Sequence, residues 1–266
     1  MSEVKIAPIP DLGQRTDEIT IYAGPCSVES AEQFDEVAEC IADLGLTWIR
    51  GGAFKPRTNP HSFQGLGEEA LKIMKSAGDR YNLKTLTEVM DSAHCQLVAD
   101  YVDGLQVGAR NFQNFSLLKK IGEVTADTHQ MVLYKRGFAG TIAEWLAATD
   151  YITDHGNTNV VLCERGIRTF ETATRFTLDI AAVPVIHKQS LYPVCIDVSH
   201  PAGQRDLVPS LAKAAVAAGA DSLMIEVHPN PPVALSDGPQ QLTPAQFREL
   251  IAELRELAAC LGKKIV

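Results

Sequence analysis

The sequence of 266 residues has six cysteines, Cys26, Cys40, Cys95, Cys163, Cys195 and Cys260, but they are scattered and form no CxxC spacing. Thiols placed this way argue against a disulfide framework and point to a reducing, cytosolic compartment. A basic segment followed by an apolar run, the mark of a signal peptide, is missing from the N-terminus. No stretch reaches the ~18–20 uncharged residues that cross a bilayer, so a soluble protein without a membrane partner is expected. Positive charge is in deficit as well. With 24 Lys and Arg against 33 Asp and Glu, the net charge of −9 argues against a nucleic-acid partner or an anionic membrane surface. Low-complexity tracts and obvious linkers are also lacking. Any anion binding must therefore come from a local concentration of cations.

What is present suits one large globular domain with an ample core: 45% of the residues are hydrophobic, with 19 glycines and 14 prolines. We expect a single domain over 1–266, with 1–18 as a short N-terminal extension. Short β-branched runs, read as strands, cover 19–24, 46–51, 83–89, 103–109, 131–137, 159–166, 193–200 and 221–228. Helical patterns lie between them. One spans 30–45, with Ser30 as N-cap and Gly45 just past its end; another spans 141–156, with Thr141 before it and Gly156 after it. The run 212–220 closes the last unit before the eighth strand, and Thr243 with Pro244 opens a final helix as cap and first-turn proline. Eight strands alternating with helices predict an α/β fold, the (β/α)8 TIM barrel. An open doubly wound sheet is the alternative, but the turn after the first strand carries no GxGxxG fingerprint.

In such a barrel the chemistry belongs at the C-terminal ends of the strands. Every predicted strand delivers a reactive or charged group there: Cys26 after the first, Arg50 with Lys55 and Arg57 after the second, Glu88 after the third and Arg110 after the fourth. Lys135 and Arg136 close the fifth, Glu164 and Arg165 the sixth, Asp197 and His200 the seventh, and Glu226 and His228 the eighth, with Asp237 in the loop beyond. The cations Arg50, Lys55, Arg57, Arg110, Lys135, Arg136 and Arg165 would repel one another unless more than one anionic group sat among them. Pairing with Glu88, Glu164 and Asp197 would absorb some of that charge. Cys26, His200, Glu226 and Asp237 form a mixed soft and hard donor set suited to Mn2+, Fe2+, Co2+, Zn2+ or Cu2+ rather than Mg2+ or Ca2+. A small buried thiol and a satisfied core histidine are the competing readings of Cys26 and His200. His228 is a fallback ligand, although Pro229 after it suggests a turn. A serine nucleophile elbow is absent.

The motifs 23–30 (AGPCSVES), 50–58 (RGGAFKPRT), 62–69, 87–91, 105–111, 135–137, 163–166, 197–204 and 226–240 resemble those of the 3-deoxy-D-arabino-heptulosonate 7-phosphate synthases, type I, in their shorter microbial form. The resemblance implies a transferase, the first enzyme of the shikimate route to chorismate and the aromatic amino acids. It condenses phosphoenolpyruvate with erythrose 4-phosphate, releases phosphate and requires a divalent metal, Mn2+ foremost. By motif, the metal ligands are Cys26, His200, Glu226 and Asp237. Phosphoenolpyruvate falls to Arg50, Lys55, Arg110, Lys135 and Arg165, and the aldose phosphate to Arg57 and Thr58. Lys135, Glu88 and His200 are the candidates for moving protons. A homodimer or homotetramer is expected, with a separate chorismate mutase or regulatory protein as a further partner.

The nearest rival is the synthase of 3-deoxy-octulosonate 8-phosphate, which uses arabinose 5-phosphate and typically shows KANRS where this chain has KPRT; Pro56 and Thr58 thus favour the four-carbon sugar. A non-catalytic phosphate-binding barrel is disfavoured because all four ligand positions are kept. Asn59, His61 and the run FAG at 138–140 depart from the commoner residues beside these motifs. The first strand begins about 18 residues from the start. That leaves no room for a ferredoxin-like or chorismate mutase extension, so insensitivity to Phe and Tyr is expected unless a partner docks.

Overall fold

The computed structural model describes residues 17–56, 59 and 61–266. Its elements run β1 (Glu18–Gly24), α1 (Ala31–Asp43), β2 (Trp48–Arg50), α2 (Glu68–Tyr81), β3 (Lys84–Glu88), α3 (Cys95–Ala99), β4 (Gly104–Val107), α4 (Phe115–Val124) and β5 (Met131–Lys135). They continue as α5 (Ile142–Thr153), β6 (Val160–Glu164), α6 (Ala182–Gln189), β7 (Val194–Asp197), α7 (Ser199–Ala202), α8 (Val208–Ala217), β8 (Ser222–Glu226), α9 (Pro244–Cys260) and β9 (Lys264–Ile265). β1 to β8 pair in parallel in sequence order, and β1 pairs with both β2 and β8, which closes the sheet into the expected barrel. A short strand that the sequence did not announce, β9, adds to the start of β1 through Glu18↔Lys264 and Ile19↔Ile265. No helix among the described residues is long and apolar enough to cross a membrane.

The caps form where the residue types demand them. Ser30 accepts from the backbone of Gln33. Thr141 with Glu144 and Thr243 with Gln246 make reciprocal capping boxes, each satisfying two of the donors that a helix start leaves open. Gly45 and Gly156 carry φ values of 65° and 109° just beyond their helices, a backbone that other residues adopt only with strain.

Strand alternation explains how the rim is built. Tyr22, Leu86, Met131, Leu133, Val161, Cys163, Cys195 and Met224 fill the barrel interior, with Trp48 packed against them. Side chains two apart share a face. The next inward position after Trp48 is therefore Arg50, after Leu86 Glu88, after Leu133 Lys135, after Cys195 Asp197 and after Met224 Glu226. The apolar plug is the floor of the site, and the same period that builds it delivers the polar groups above it. Gly24 belongs to this rim because a Cβ there would lie 1.9 Å from the Arg50 carbonyl oxygen, so only glycine lets β1 and β2 approach.

Several strands are shorter than their apolar runs. The seventh stops at Asp197, because its Oδ1 accepts the backbone N–H groups of Ser199 (3.2 Å) and His200 (3.1 Å) and turns the chain into α7. His200 therefore projects from a short helix rather than from the strand. The fourth likewise ends at Val107, and Arg110 sits in a single 3-10 turn over Ala109–Asn111.

Candidate active site

One donor atom from each of Cys26, His200, Glu226 and Asp237 lies within 4.8 Å of the other three. These residues come from the loop after β1, from α7, from the end of β8 and from the loop after β8. Cys26 Sγ is 3.6 Å from Asp237 Oδ2. His200 Nε2 lies 3.5 Å from Glu226 Oε1 and 3.8 Å from Asp237 Oδ2. The other ring nitrogen, Nδ1, is 2.7 Å from Asp197 Oδ2, which orients the imidazole with Nε2 toward the cluster. Burial lowers the His200 pKa in spite of the carboxylates of Asp197 and Glu226, so the ring is neutral and has a lone pair to offer. Burial and Glu226 push the Cys26 thiol up to about 11, against the pull of Lys55. Asp237 is held well below the ordinary carboxylate range: burial acts upward, and His200, Arg175 and Lys55 outweigh it. Two carboxylates, a neutral imidazole and an ionisable thiol at this spacing are a donor set that fits a divalent transition metal.

Cations surround this cluster. Arg50 Nη1 donates to the Pro25 carbonyl oxygen (2.6 Å) and to Glu226 Oε1 (3.3 Å). Lys55 Nζ donates to the Cys26 carbonyl oxygen and approaches Sγ, both at 3.0 Å. Lys135 Nζ donates to Asp197 Oδ2 at 2.7 Å. Burial lowers the Lys135 pKa, but Asp197 outweighs it and the net shift is upward, so the group is an ammonium. Asp197 is itself held well below its usual range by His200 and Lys135, which together overcome its burial. Arg165 lies with its guanidinium carbon 4.0 Å from the ring centre of Phe176 and 4.9 Å from that of Phe138. Burial lowers its pKa from an ordinary value so high that the charge remains. Arg110 is exposed, 6.0 Å from the Phe138 ring. Glu88 accepts from Gln106 Nε2 at 3.1 Å. Lys55, Glu88, Arg110, Arg165, His200 and Asp237 line one cavity.

Two of the sequence assignments require correction, and two others cannot be located. Arg136 is not available to a ligand: Nη1 is 2.8 Å from both Glu164 Oε2 and Asp179 Oδ2, and Nε donates to the Gly140 carbonyl oxygen. Alternation explains this, since Lys135 continues the inward face of β5 and the next residue must point away from it. His228 does not join the four-residue cluster; Nε2 lies 3.4 Å from Glu29 Oε2, and Nδ1 accepts from the Asn230 backbone. Arg57 and Thr58 lie outside the described residues.

The sequence reading missed Arg175 and Phe176, which line the cavity from the long segment between β6 and α6. Arg175 Nη1 is 3.1 Å from Asp237 Oδ2 and 2.9 Å from Gln240 Oε1. That segment has no strand or helix period to place it. Its course follows from the antiparallel bridge Ile167↔Thr177 and from Gly203, where a Cβ would lie 2.8 Å from the Arg175 Cβ.

Comparison with known proteins agrees with this geometry. The model of the DAHP synthetase I family matches residues 12–261. The chain is 51% identical over 246 residues to a phospho-2-dehydro-3-deoxyheptonate aldolase of Thermotoga maritima, covering 92% of this chain and 72% of that one. A 2-dehydro-3-deoxyphosphooctonate aldolase of Caulobacter vibrioides is 32% identical over 262 residues, covering 90% of this chain and 87% of its own length. The crystal structure of the Thermotoga maritima DAHP synthase superposes with a TM-score of 0.90 at 50% identity, covering 94% of this chain and 72% of that one. A truncated form of the Thermotoga maritima 3-deoxy-D-arabino-heptulosonate 7-phosphate synthase gives 0.86 at 47% identity, covering 94% and 90%. A closed parallel barrel, a four-donor cluster ringed by cations at its C-terminal rim, and a family match over nearly the whole length lead to one assignment: the chain belongs to the DAHP synthetase I family.

Proposed function

We propose that this protein condenses phosphoenolpyruvate with erythrose 4-phosphate to give 3-deoxy-D-arabino-heptulosonate 7-phosphate and inorganic phosphate. The observation that carries the reading is the cluster of Cys26, His200, Glu226 and Asp237 beside the buried cations Arg50, Lys135 and Arg165. A single anion seldom recruits so many cations, and two anionic substrates explain them. Arg50, Lys55, Arg110, Lys135 and Arg165 hold the phosphate and carboxylate of phosphoenolpyruvate, while Arg57 and Thr58 serve the aldose phosphate. Phe138 and Phe176 hold the Arg165 guanidinium by cation–π contact, which lowers the entropy lost when it grips an anion.

Cys26, His200, Glu226 and Asp237 would hold a divalent ion, which we assign as Mn2+ ahead of Co2+, Fe2+, Zn2+ or Cu2+, and which when bound would supply Lewis-acid polarisation of the aldehyde. The side chains supply the rest. Held in attacking geometry by the cations, C3 of phosphoenolpyruvate forms the new carbon–carbon bond with the aldehyde carbon. Water adds at C2, and the C2–O bond to phosphate breaks. Lys135, charged and anchored on Asp197, serves as the proton donor; neutral His200 is itself one of the four metal ligands, which leaves Glu88 as the carboxylate that accepts a proton. Six scattered cysteines without CxxC spacing favour a reducing, cytoplasmic setting.

Phosphate release from phosphoenolpyruvate tests the reading. Erythrose 4-phosphate should outrun arabinose 5-phosphate by roughly 100-fold or more, in the range set by one misfitting group in a site. EDTA should abolish the rate and Mn2+ restore it. Equal rates with both aldoses would remove the sugar assignment, and a rate indifferent to EDTA would remove the metal. Cys26 adds a pH signature: a thiol near 11 must lose its proton to become a ligand. Mn2+ affinity, measured by titration against a chelator, should therefore rise about tenfold per pH unit from 7 to 9. This slope should disappear in Cys26→Ser.

A further inference from the structure

Gln240 is buried and its amide is engaged at both ends. Oε1 accepts from Arg175 Nη1 at 2.9 Å, while Nε2 donates to Glu226 Oε2 at 2.6 Å and approaches Asp237 Oδ2 at 3.4 Å. An amide has one donor end and one acceptor end of nearly the same shape, so its neighbours decide which way it points. Reversed here, the oxygen would face two carboxylate oxygens and the NH2 would face a guanidinium, leaving every contact repulsive. Arg175 permits one orientation, and that orientation places a single NH2 between two carboxylates.

Those carboxylates need such a bridge. Glu226 is fixed at the end of β8, but Asp237 lies in the following loop with a left-handed backbone at φ 49°. Like charges at short range in a buried site push apart. Arg50 holds only the Oε1 side of Glu226. Arg205 secures the loop further on, donating to the Gly238 carbonyl oxygen at 3.1 Å, and does not touch either carboxylate.

We propose that Gln240, locked in one amide orientation by Arg175, is the positioning residue that holds Glu226 and Asp237 at a common spacing, and that this pair of side chains sets how tightly the site binds its divalent ion. The inference rests on the reading of the four-residue cluster as a metal site. Outer hydrogen bonds of this kind orient ligating carboxylates, and their loss typically costs about 10–100-fold in metal affinity. Arg175 acts in two ways, by locking the amide and by its own 3.1 Å contact with Asp237 Oδ2, and only the first depends on Gln240.

The test is Mn2+ binding alone, followed by the electron paramagnetic resonance signal of the free ion, with no substrate present. Gln240→Met keeps the volume and removes both hydrogen-bonding ends; its Kd should weaken about 10–100-fold, with an unchanged melting temperature in EDTA. Arg175→Gln, at a side chain that is 39% exposed, should also weaken binding. In the double variant the combined penalty should fall short of the sum of the two single ones, because the part of the Arg175 effect that passes through Gln240 is already lost. A wild-type Kd in Gln240→Met overturns the proposal. Should that variant fail to fold, a wild-type Kd in Arg175→Gln overturns it equally. Additive penalties in the double variant refute the claim that Arg175 works through Gln240. Failure of the metal reading looks different: wild-type protein that binds no Mn2+, or binding that survives Cys26→Ser together with His200→Ala.

Discussion

Replacing His200 with alanine should cut metal-dependent phosphate release by at least about 10³-fold while the barrel remains folded, as judged by far-ultraviolet circular dichroism. The expectation follows from where the ring sits. Nε2 is within 3.8 Å of two carboxylate ligands, and Nδ1 is held at 2.7 Å by Asp197. A methyl group removes one ligand and the only neutral nitrogen donor of the set, leaving a site with three ionisable ligands and a gap. Folding survives because Asp197 keeps its contact with Lys135. The sign of the pH effect also follows. The His200 pKa is depressed by burial, so the unfolded chain takes up a proton near pH 6.5 that the folded chain resists. His200 therefore costs stability as the pH falls below that point, and the alanine variant should lose less of its melting temperature on going from pH 7 to pH 5. A variant that retains Mn2+ affinity and turnover would exclude His200 from the metal site.

Lys135→Met is expected to be the second severe change, and it should act on both rate and stability. The Lys135 ammonium and the Asp197 carboxylate are both buried, with side-chain exposures of 5% and 0%. Removing the cation strands a buried carboxylate, which costs about 3 kcal/mol when one partner of a buried pair is lost. Here His200 remains on Asp197, so the lower end of the usual range applies. For a chain of this size the melting temperature should drop by roughly 6–12 °C. The rate should fall by about 10²–10⁴-fold, the contribution of one positioned proton-transfer group. Asp197 would also draw a proton onto His200, making the imidazole a poorer metal ligand, so Mn2+ affinity should weaken in parallel. Wild-type kcat in a folded Lys135→Met protein would remove Lys135 from the chemistry.

Much of the barrel is legible in the chain because strand and helix periods are local properties. The caps at Ser30, Thr141 and Thr243 form as their residue types require; seven of the eight barrel strands lie within their apolar runs, and β1 starts one residue earlier, at Glu18. The ends of the strands are less legible, since they depend on side chains folding back. Asp197 capping the amides of Ser199 and His200 shortens β7 in a way that no hydrophobic pattern encodes. β9 is invisible for a related reason: two residues carry too little pattern to stand out.

Among the site residues, those on inward strand positions could be read by counting in twos from the apolar floor. Arg136 shows the limit of reading a strand end without that count. Its position beside Lys135 suggests a rim cation, yet the face it occupies puts it on Glu164 and Asp179. Gln240 stood inside a motif that carries the family resemblance and drew no role, because an amide has no charge to flag it. Arg175 drew none because its segment has no regular period.

Which residue types reach the C-terminal rim follows from local pattern, because alternation along a strand and the order of strands in a closed barrel leave little freedom. Which charges cancel and which remain depends on the folded barrel. Cys26 meets Asp237 across 211 positions, and Arg50 meets Glu226 across 176. Such pairings depend on distances of a few ångströms between loops, and these distances are set by how the whole barrel closes.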